Sequence, residues 1–531
     1  MFLYSQTLTF HQFKSDNDNW WKLNHGQDSL AGTDWNKAIT YLHQNLNPKQ
    51  QIIIAVLDSD FDLNHKMLKP VMWSNKNEIK GNNIDDDKNG YIDDYAGWNF
   101  LGIKNKDSSL AYVLTEETRI LRKIDRNSFN TLRKKNKIPF QYNDVRASYD
   151  STVLSLERKI KYNKDIEASY TFVMDTLRKL IKGKISLKSL SNFIAPNDTI
   201  RSYVDFAKYY YEADYPYDEF IKYLKFKELS LDICMNLNYD NRSLLPKASH
   251  IKRNKKYGNN TFGKNTAILE HGTLVSGVIA YSMLDSVSLI HKNPIKKYPI
   301  NIMPITFTGI GDFTDKDFYV SLKYAVDNGA HIINISQGKA FSIQPKILKK
   351  ALSYAEKKNI LVVISAGNES QNLDKDWQFP QSIARLYKKE FSNVLIVGAT
   401  TKKYGEDLVD QDSNYGLNSI DIFAPGVDIL TCSPNNQFTN REGTSFAAPI
   451  VANIAALLWS HYPNLKASQI RKIIMDSGTP FNGLVNVPYD DEKEINDENF
   501  KSKQRFQNLS KSGKIINAYN ALIMAEQLQI N

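Results

Sequence analysis

The chain has 531 residues, 42% of them hydrophobic, with two cysteines and a formal charge of +10. That length holds two to four average domains or one large α/β enzyme. Cys234 and Cys432 allow one bridge or none, which excludes a disulfide framework, and no run of about 18 apolar residues offers a helical membrane span. The charge is uneven. Residues 101–265 hold 32 Lys and Arg against 19 Asp and Glu, a net of +13, so the rest of the chain carries −3. Basicity confined to one segment, without a continuous basic groove, argues against a nucleic-acid partner. The first ten residues lack a basic n-region and an apolar h-region, so no signal peptide is visible in this chain.

Residues 1–50 read as a polar and aromatic N-terminal extension, with Asp34 expected to cap a short helix over 35–46. Residues 51–58 follow, six apolar residues running into Asp58, the pattern of a buried parallel strand. An acid at a strand's carboxyl end is either a turn cap or a functional group, because open α/β sheets gather ligands at that edge. Residues 82–94 contain Asp-x-Asp-x-Asn-Gly, the first half of a calcium loop. Asp85, Asp87, Asn89, Tyr91 and Asp93 are the candidate ligands, and Gly90 permits the sharp turn. The twelfth position is Ala96 rather than Glu, so this is not a complete EF-hand. A solvated acidic turn is the alternative.

Residues 101–265 read as an insertion of amphipathic helices over 113–124, 153–160, 172–181 and 220–237, broken at Pro139 and Pro196. Tyr209, Tyr210 and Tyr211 suit a core or interface better than a base-stacking platform. After the insertion, Glu270-His271-Gly272-Thr273 opens a predicted helix with a histidine in its first turn. Strands are expected over 300–306, 331–336, 360–368 and 394–399, with helices over 315–328 and 346–358 between them. Strands alternating with helices predict a mainly parallel sheet covered on both faces. The catalytic body would then be residues 51–100 with 266–525.

Arg441-Glu442-Gly443-Thr444-Ser445-Phe446-Ala447-Ala448-Pro449 leads into an apolar, Ala-rich stretch that reads as a buried helix. A serine in its first turn sits where unpaired N–H groups and the helix dipole favour negative charge. It is an N-cap or a nucleophile. Asp58, His271 and Ser445 supply the carboxylate, base and hydroxyl of a triad, and Asn368, after a strand, carries a donor suited to an oxyanion.

Four words in this order resemble the subtilisin-like serine peptidases (subtilases), for which subtilisin is the standard example of the order Asp, His, Ser. They are Val56-Leu57-Asp58-Ser59, His271-Gly272-Thr273-x-Val275-x-Gly277, Ala366-Gly367-Asn368 and Gly443-Thr444-Ser445-Phe446-Ala447-Ala448-Pro449. The stretch 77–100 resembles large Bacteroidetes-type secreted members. The resemblance implies a three-layer α/β fold and a serine endopeptidase acting on proteins or peptides. In it Ser445 is the nucleophile, His271 the base, Asp58 its partner and Asn368 an oxyanion donor. Ser336, Gln337 and Gly338 would pair with the substrate backbone and, with Ala366 and Gly367, line the first specificity pocket. It also implies export to a secreted, periplasmic or cell-surface location. Departures from the family are Asp60, Leu274, Ser276, Gln337 and Lys339. Asp60 is expected to raise the basicity of His271. The alternative is a weakly active or inactive fold that docks a partner through its basic insertion.

Overall fold

The computed structural model describes residues 20–23, 30–103, 106–213, 215–246, 256–282, 299–488 and 503–530. Residues 1–19 and 24–29 of the expected N-terminal extension therefore lie outside the described residues. Among the described residues, nine strands form one sheet. Its spatial order is Thr479–Pro480, Lys514–Ile515, Ile422–Pro425, Val394–Thr400, Leu361–Ser365, Ile332–Ile335, Ile52–Asp58, Ile300–Thr306 and Trp98–Asn99. Only the first pair is antiparallel. Every residue of Val394–Thr400, Leu361–Ser365 and Ile332–Ile335 is buried, so helices cover both faces and the strands read as unbroken apolar runs. The result is the expected α/β architecture with a mainly parallel central sheet.

The helix Thr444–His461 is buried along its whole length and lies against the central strands. Its Ala-rich sequence lets it approach the sheet closely. Trp20, Trp21 and Trp35, from the first fifty residues, join the same core, and Trp20 Nε1 donates to Val427 O at 3.1 Å. The expected cap at Asp34 differs. The helix Trp35–Asn45 is present, but Asp34 has left-handed φ and ψ and makes no cap bond. Its carboxylate accepts instead from Asn517 Nδ2 at 2.9 Å.

Between Asn99 and His271 the described residues are largely helical. The two helices expected over 153–160 and 172–181 are one continuous helix, Tyr142–Leu180. The helices Arg126–Asn136 and Asp198–Glu212 were not anticipated, although the latter has Ile200, Tyr203, Val204, Ala207 and Tyr211 at helical spacing. The former buries only Phe129 and is started by Asp125, whose carboxylate accepts from Asn127 N and Ser128 N. The distal half of the long helix packs with Leu187–Asn192, Asp198–Glu212 and Tyr217–Leu229 around a small core of its own. Tyr210 stacks on Tyr170 there at 4.6 Å, while Tyr209 is exposed.

The near part of the insertion is bound to the sheet domain by buried charge. Arg119 pairs with Glu116 at 2.5 Å and donates to the carbonyls of Leu114, Asp312 and Phe313. Lys339 pairs with Asp315 at 2.8 Å and Glu116 at 3.4 Å. Arg242 pairs with Asp317 at 2.8 Å, and Tyr257 donates to the same carboxylate. Cys234 and Cys432 are both buried and free.

Candidate active site

Neighbouring strands end level with one another. Leu57 pairs with Ile335 and Ile335 with Ile364, so Asp58, Ser336 and Ser365 leave the sheet together at its carboxyl edge. That edge is where parallel sheets collect ligand-binding groups.

Asp58 is fully buried, and its Oδ1 accepts from Ser59 N at 2.7 Å and from His271 Nδ1 at 2.7 Å. His271 is the third residue of the helix Leu269–Ser282. That helix lies close to the strand Ile429–Ser433 because Gly277 has no side chain. A Cβ there would stand 2.3 Å from Thr431 Oγ1 and 2.5 Å from Cys432 N. Glu270 pairs with Arg441 at 2.5 Å, tying the histidine helix to the strand that leads to Ser445. Burial disfavours the imidazolium, but the charge and hydrogen bond of Asp58 outweigh it. Glu270 adds to this and Arg441 opposes it, so His271 is held above its ordinary value. Asp60, expected from sequence to act on it, is not among the strongest of these influences. Its carboxyl is pushed up to about 6 by burial and is turned to the backbone, accepting from Phe61 N at 2.8 Å and Gly263 N at 3.0 Å.

Ser445 is the second residue of its helix and 9% exposed. Its Oγ donates to Ser336 O at 3.4 Å, and no hydrogen bond joins it to His271 among the described residues. Such bonds are often long in a free enzyme and tighten with substrate. The Phe446 ring lies 6.3 Å from the imidazole, so the helix start and the histidine face each other. Gly443 has φ of 117°, a backbone that side chains rarely adopt, and a Cβ would meet Asn368 Nδ2 at 3.0 Å.

Asn368 is fixed by Thr444, the residue before the serine. Thr444 N and Thr444 Oγ1 both donate to Asn368 Oδ1 at 2.8 Å, and Thr444 Oγ1 accepts from Gly367 N at 3.1 Å. With Oδ1 engaged, the Asn368 amide presents Nδ2 toward the serine turn. Asn414, missed from sequence, holds the same loop by donating to Ala366 O and accepting from Glu369 N and Gln371 N. Ser336 Oγ donates to Ser445 O at 2.8 Å. Gly338 and Gly367 flank one side chain, since a Cβ on either would approach Gln378 Nε2, at 2.8 and 3.3 Å. The wall there is polar, completed by Gln381, Glu369 and Asn414.

The acidic loop is arranged differently from its sequence pattern. Glu78, Asp87 and Asp94 bring their carboxylates within 4.8 Å of one another. Of the five expected ligands only Asp87 belongs to this group. Asp85 Oδ2 accepts from Gly90 N, and Asp93 accepts from Gly81 N, Asn82 N and Asn83 N. Those two carboxylates shape the turn. Asn89 donates to Asp87 and Asp94, and the Tyr91 ring packs against Trp98 and Tyr324. Glu78 is 5% exposed, and its Oε2 is buried with no hydrogen-bond partner. Burial, then the charges of Asp94, Asp87 and Asp86, pushes its carboxyl above the usual range. An orphaned carboxylate oxygen among like charges fits a hard cation.

The model of the subtilase family matches residues 49–506. The chain belongs to that family. It is 34% identical over 220 residues to a cell wall-associated protease of Bacillus subtilis (strain 168), covering 41% of this chain and 22% of that protein. Subtilisin DY of Bacillus licheniformis is 30% identical over 230 residues, 41% of this chain and 76% of the relative. A thermophilic serine proteinase of Bacillus sp. (strain AK1) is 32% identical, over 40% of this chain and 48% of the relative. The chain thus spans less than half of the first and third of these subtilase relatives.

Proposed function

We propose that this subtilase is a serine endopeptidase working through an acyl-enzyme. The observation that carries the reading is the 2.7 Å bond between buried Asp58 and His271, set opposite Ser445 at the head of a helix. His271 takes the Ser445 proton as Oγ attacks the peptide carbonyl, then returns it to the leaving amine. Asp58 holds the proton on Nδ1 and stabilises the imidazolium. The oxyanion that forms is met by Asn368 Nδ2 and the Ser445 N–H, an unpaired first-turn donor. An extended peptide would lie along Ser336–Gly338, with a side chain between Gly338 and Ala366–Gly367. The test is hydrolysis of an unfolded protein such as casein. The wild type is expected to cleave it and Ser445→Ala is not. Equal cleavage by both would refute the reading.

Asn368→Leu keeps the approximate volume but removes the donor. It is expected to lower kcat about 10²- to 10³-fold with KM little changed, read from steady-state kinetics on a peptide. A drop confined to KM would assign Asn368 to ground-state binding instead.

Calcium is part of the proposal, as a structural ion held by Glu78, Asp87 and Asp94. It would neutralise carboxylates that otherwise repel. Chelation is expected to lower the thermal midpoint, and Glu78→Gln is expected to remove that dependence. A midpoint indifferent to chelator in the wild type would contradict it. Action outside the cytoplasm also belongs to this reading, supported by the cell wall-associated relative.

A further inference from the structure

Gln337 follows Ser336 on the strand extension, and its side chain turns toward the dyad rather than toward the substrate side. Nε2 lies 3.2 Å from Asp58 Oδ1 and 3.2 Å from His271 Nδ1. When His271 donates through Nδ1, the only acceptor of this pair open to the Gln337 amide is Asp58 Oδ1. That oxygen then receives three donors: Ser59 N, His271 Nδ1 and Gln337 Nε2. Asp58 Oδ2 is buried and receives none. The hydrogen bonding of the carboxylate is concentrated on the one oxygen that the imidazole uses.

We propose that Gln337 is a positioning residue that lowers the basicity of His271 by sharing Asp58 Oδ1 with it. The inference rests on the peptidase reading above. Two effects act in the same direction. A third donor draws negative charge from the oxygen that stabilises the imidazolium. The positive end of the amide dipole also stands 3.2 Å from Nδ1, where it disfavours added positive charge. The charged groups that act most strongly on the imidazole are Asp58 and Glu270, which raise its basicity, and Arg441, which lowers it. The Phe446 ring on the serine helix brings no charge. Gln337 is neutral at every pH, so its effect is a constant offset on that balance. It also limits rotation of the Asp58 carboxylate, which has no partner on Oδ2 to fix it.

The test uses the full chain with ¹³C-labelled histidine, comparing wild type, Gln337→Met and Gln337→Leu. Met keeps the length and loses the donor, and Leu is a second apolar choice should Met pack badly. His271 is assigned by its loss in His271→Gln, and its titration is followed by NMR. Both Gln337 variants are expected to titrate at higher pH than wild type. The acid limb of fluorophosphonate labelling is expected to move the same way. At a pH below the wild-type midpoint, labelling of the variants should slow about three- to tenfold, the scale of one hydrogen bond. Identical His271 titrations in all three proteins would overturn the proposal. So would a change confined to KM that depends on the peptide's side chains, which would make Gln337 a specificity residue. Absence of labelling in the wild type would count against the peptidase reading alone, because the NMR titration still decides the role of Gln337.

Discussion

His271→Ala is expected to lower kcat for peptide hydrolysis about 10⁶-fold, and adding Ser445→Ala should lower it hardly further. The scale is that known for subtilisin, a member of the same family. The groups act as a unit. Without an imidazole the Ser445 proton has no acceptor in the transition state, and without Ser445 the imidazole has nothing to activate. Residual turnover would come from Asn368 and from binding. The measurement is kcat for both single variants and the double variant on one peptide. Multiplied losses in the double variant would mean that Ser445 and His271 act independently, which the 2.7 Å Asp58–His271 bond and the facing serine turn argue against.

Lys339→Met is expected to destabilise the protein by about 3–5 kcal/mol, the usual cost of removing one partner from a buried ion pair. The Lys339 side chain is 0% exposed. Its ammonium pairs with Asp315 and Glu116 and donates to Phe313 O at 3.2 Å. Methionine fills similar space but takes the cation from the buried Asp315 carboxylate and leaves Glu116 with Arg119 alone. Burial alone would push the Glu116 carboxyl up, yet Lys339 and Arg119 hold it below its ordinary value. A depressed carboxyl stabilises the folded state above its unfolded pKa, and that contribution is lost as pH falls through the folded value. The loss in Lys339→Met should therefore be largest at neutral pH and shrink on acidification. Denaturation midpoints at several pH values check it. Adding Asp315→Asn should recover part of the loss, since it removes the carboxylate that Lys339 had paired while Glu116 keeps Arg119. A Lys339→Met variant as stable as wild type at neutral pH would mean that the insertion is not anchored by this network.

Much of the sheet was legible because its strands are buried on both faces. Residues 52–58, 300–306, 332–335, 361–365 and 394–400 are apolar runs that end in turn residues, and such runs carry a strong signal. Asp58, His271, Ser445 and Asn368 were legible as words, since each stands at an element end with small neighbours. The supporting groups were not. Thr444 orients Asn368 through contacts 76 residues apart in sequence, and Asn414 holds the same loop from 45 residues away. No local pattern announces such partners. Lys339 stood out only as a departure and Gln337 as a departure within the substrate-pairing segment, and neither reading says where the side chain goes. In the acidic loop the alternating oxygens were read as a calcium ligand set, and of its three carboxylates only Asp87 gathers with Glu78 and Asp94. Asp93 has φ of 53° and spends its carboxylate on three backbone N–H groups, while Glu78 and Asp94 arrive from outside the six-residue motif. The long helix Tyr142–Leu180 appeared as two because its middle is mostly exposed and carries no continuous apolar stripe.

Labelling with a fluorophosphonate, followed by mass spectrometry of the modified peptide, tests the central claim most directly. The reagent reacts only with a serine whose proton is taken by a neighbouring base. The account predicts one label on Ser445, lost in Ser445→Ala and in His271→Ala and strongly slowed in Asp58→Asn. A label on another serine, or labelling of Ser445 that survives in His271→Ala, would contradict it.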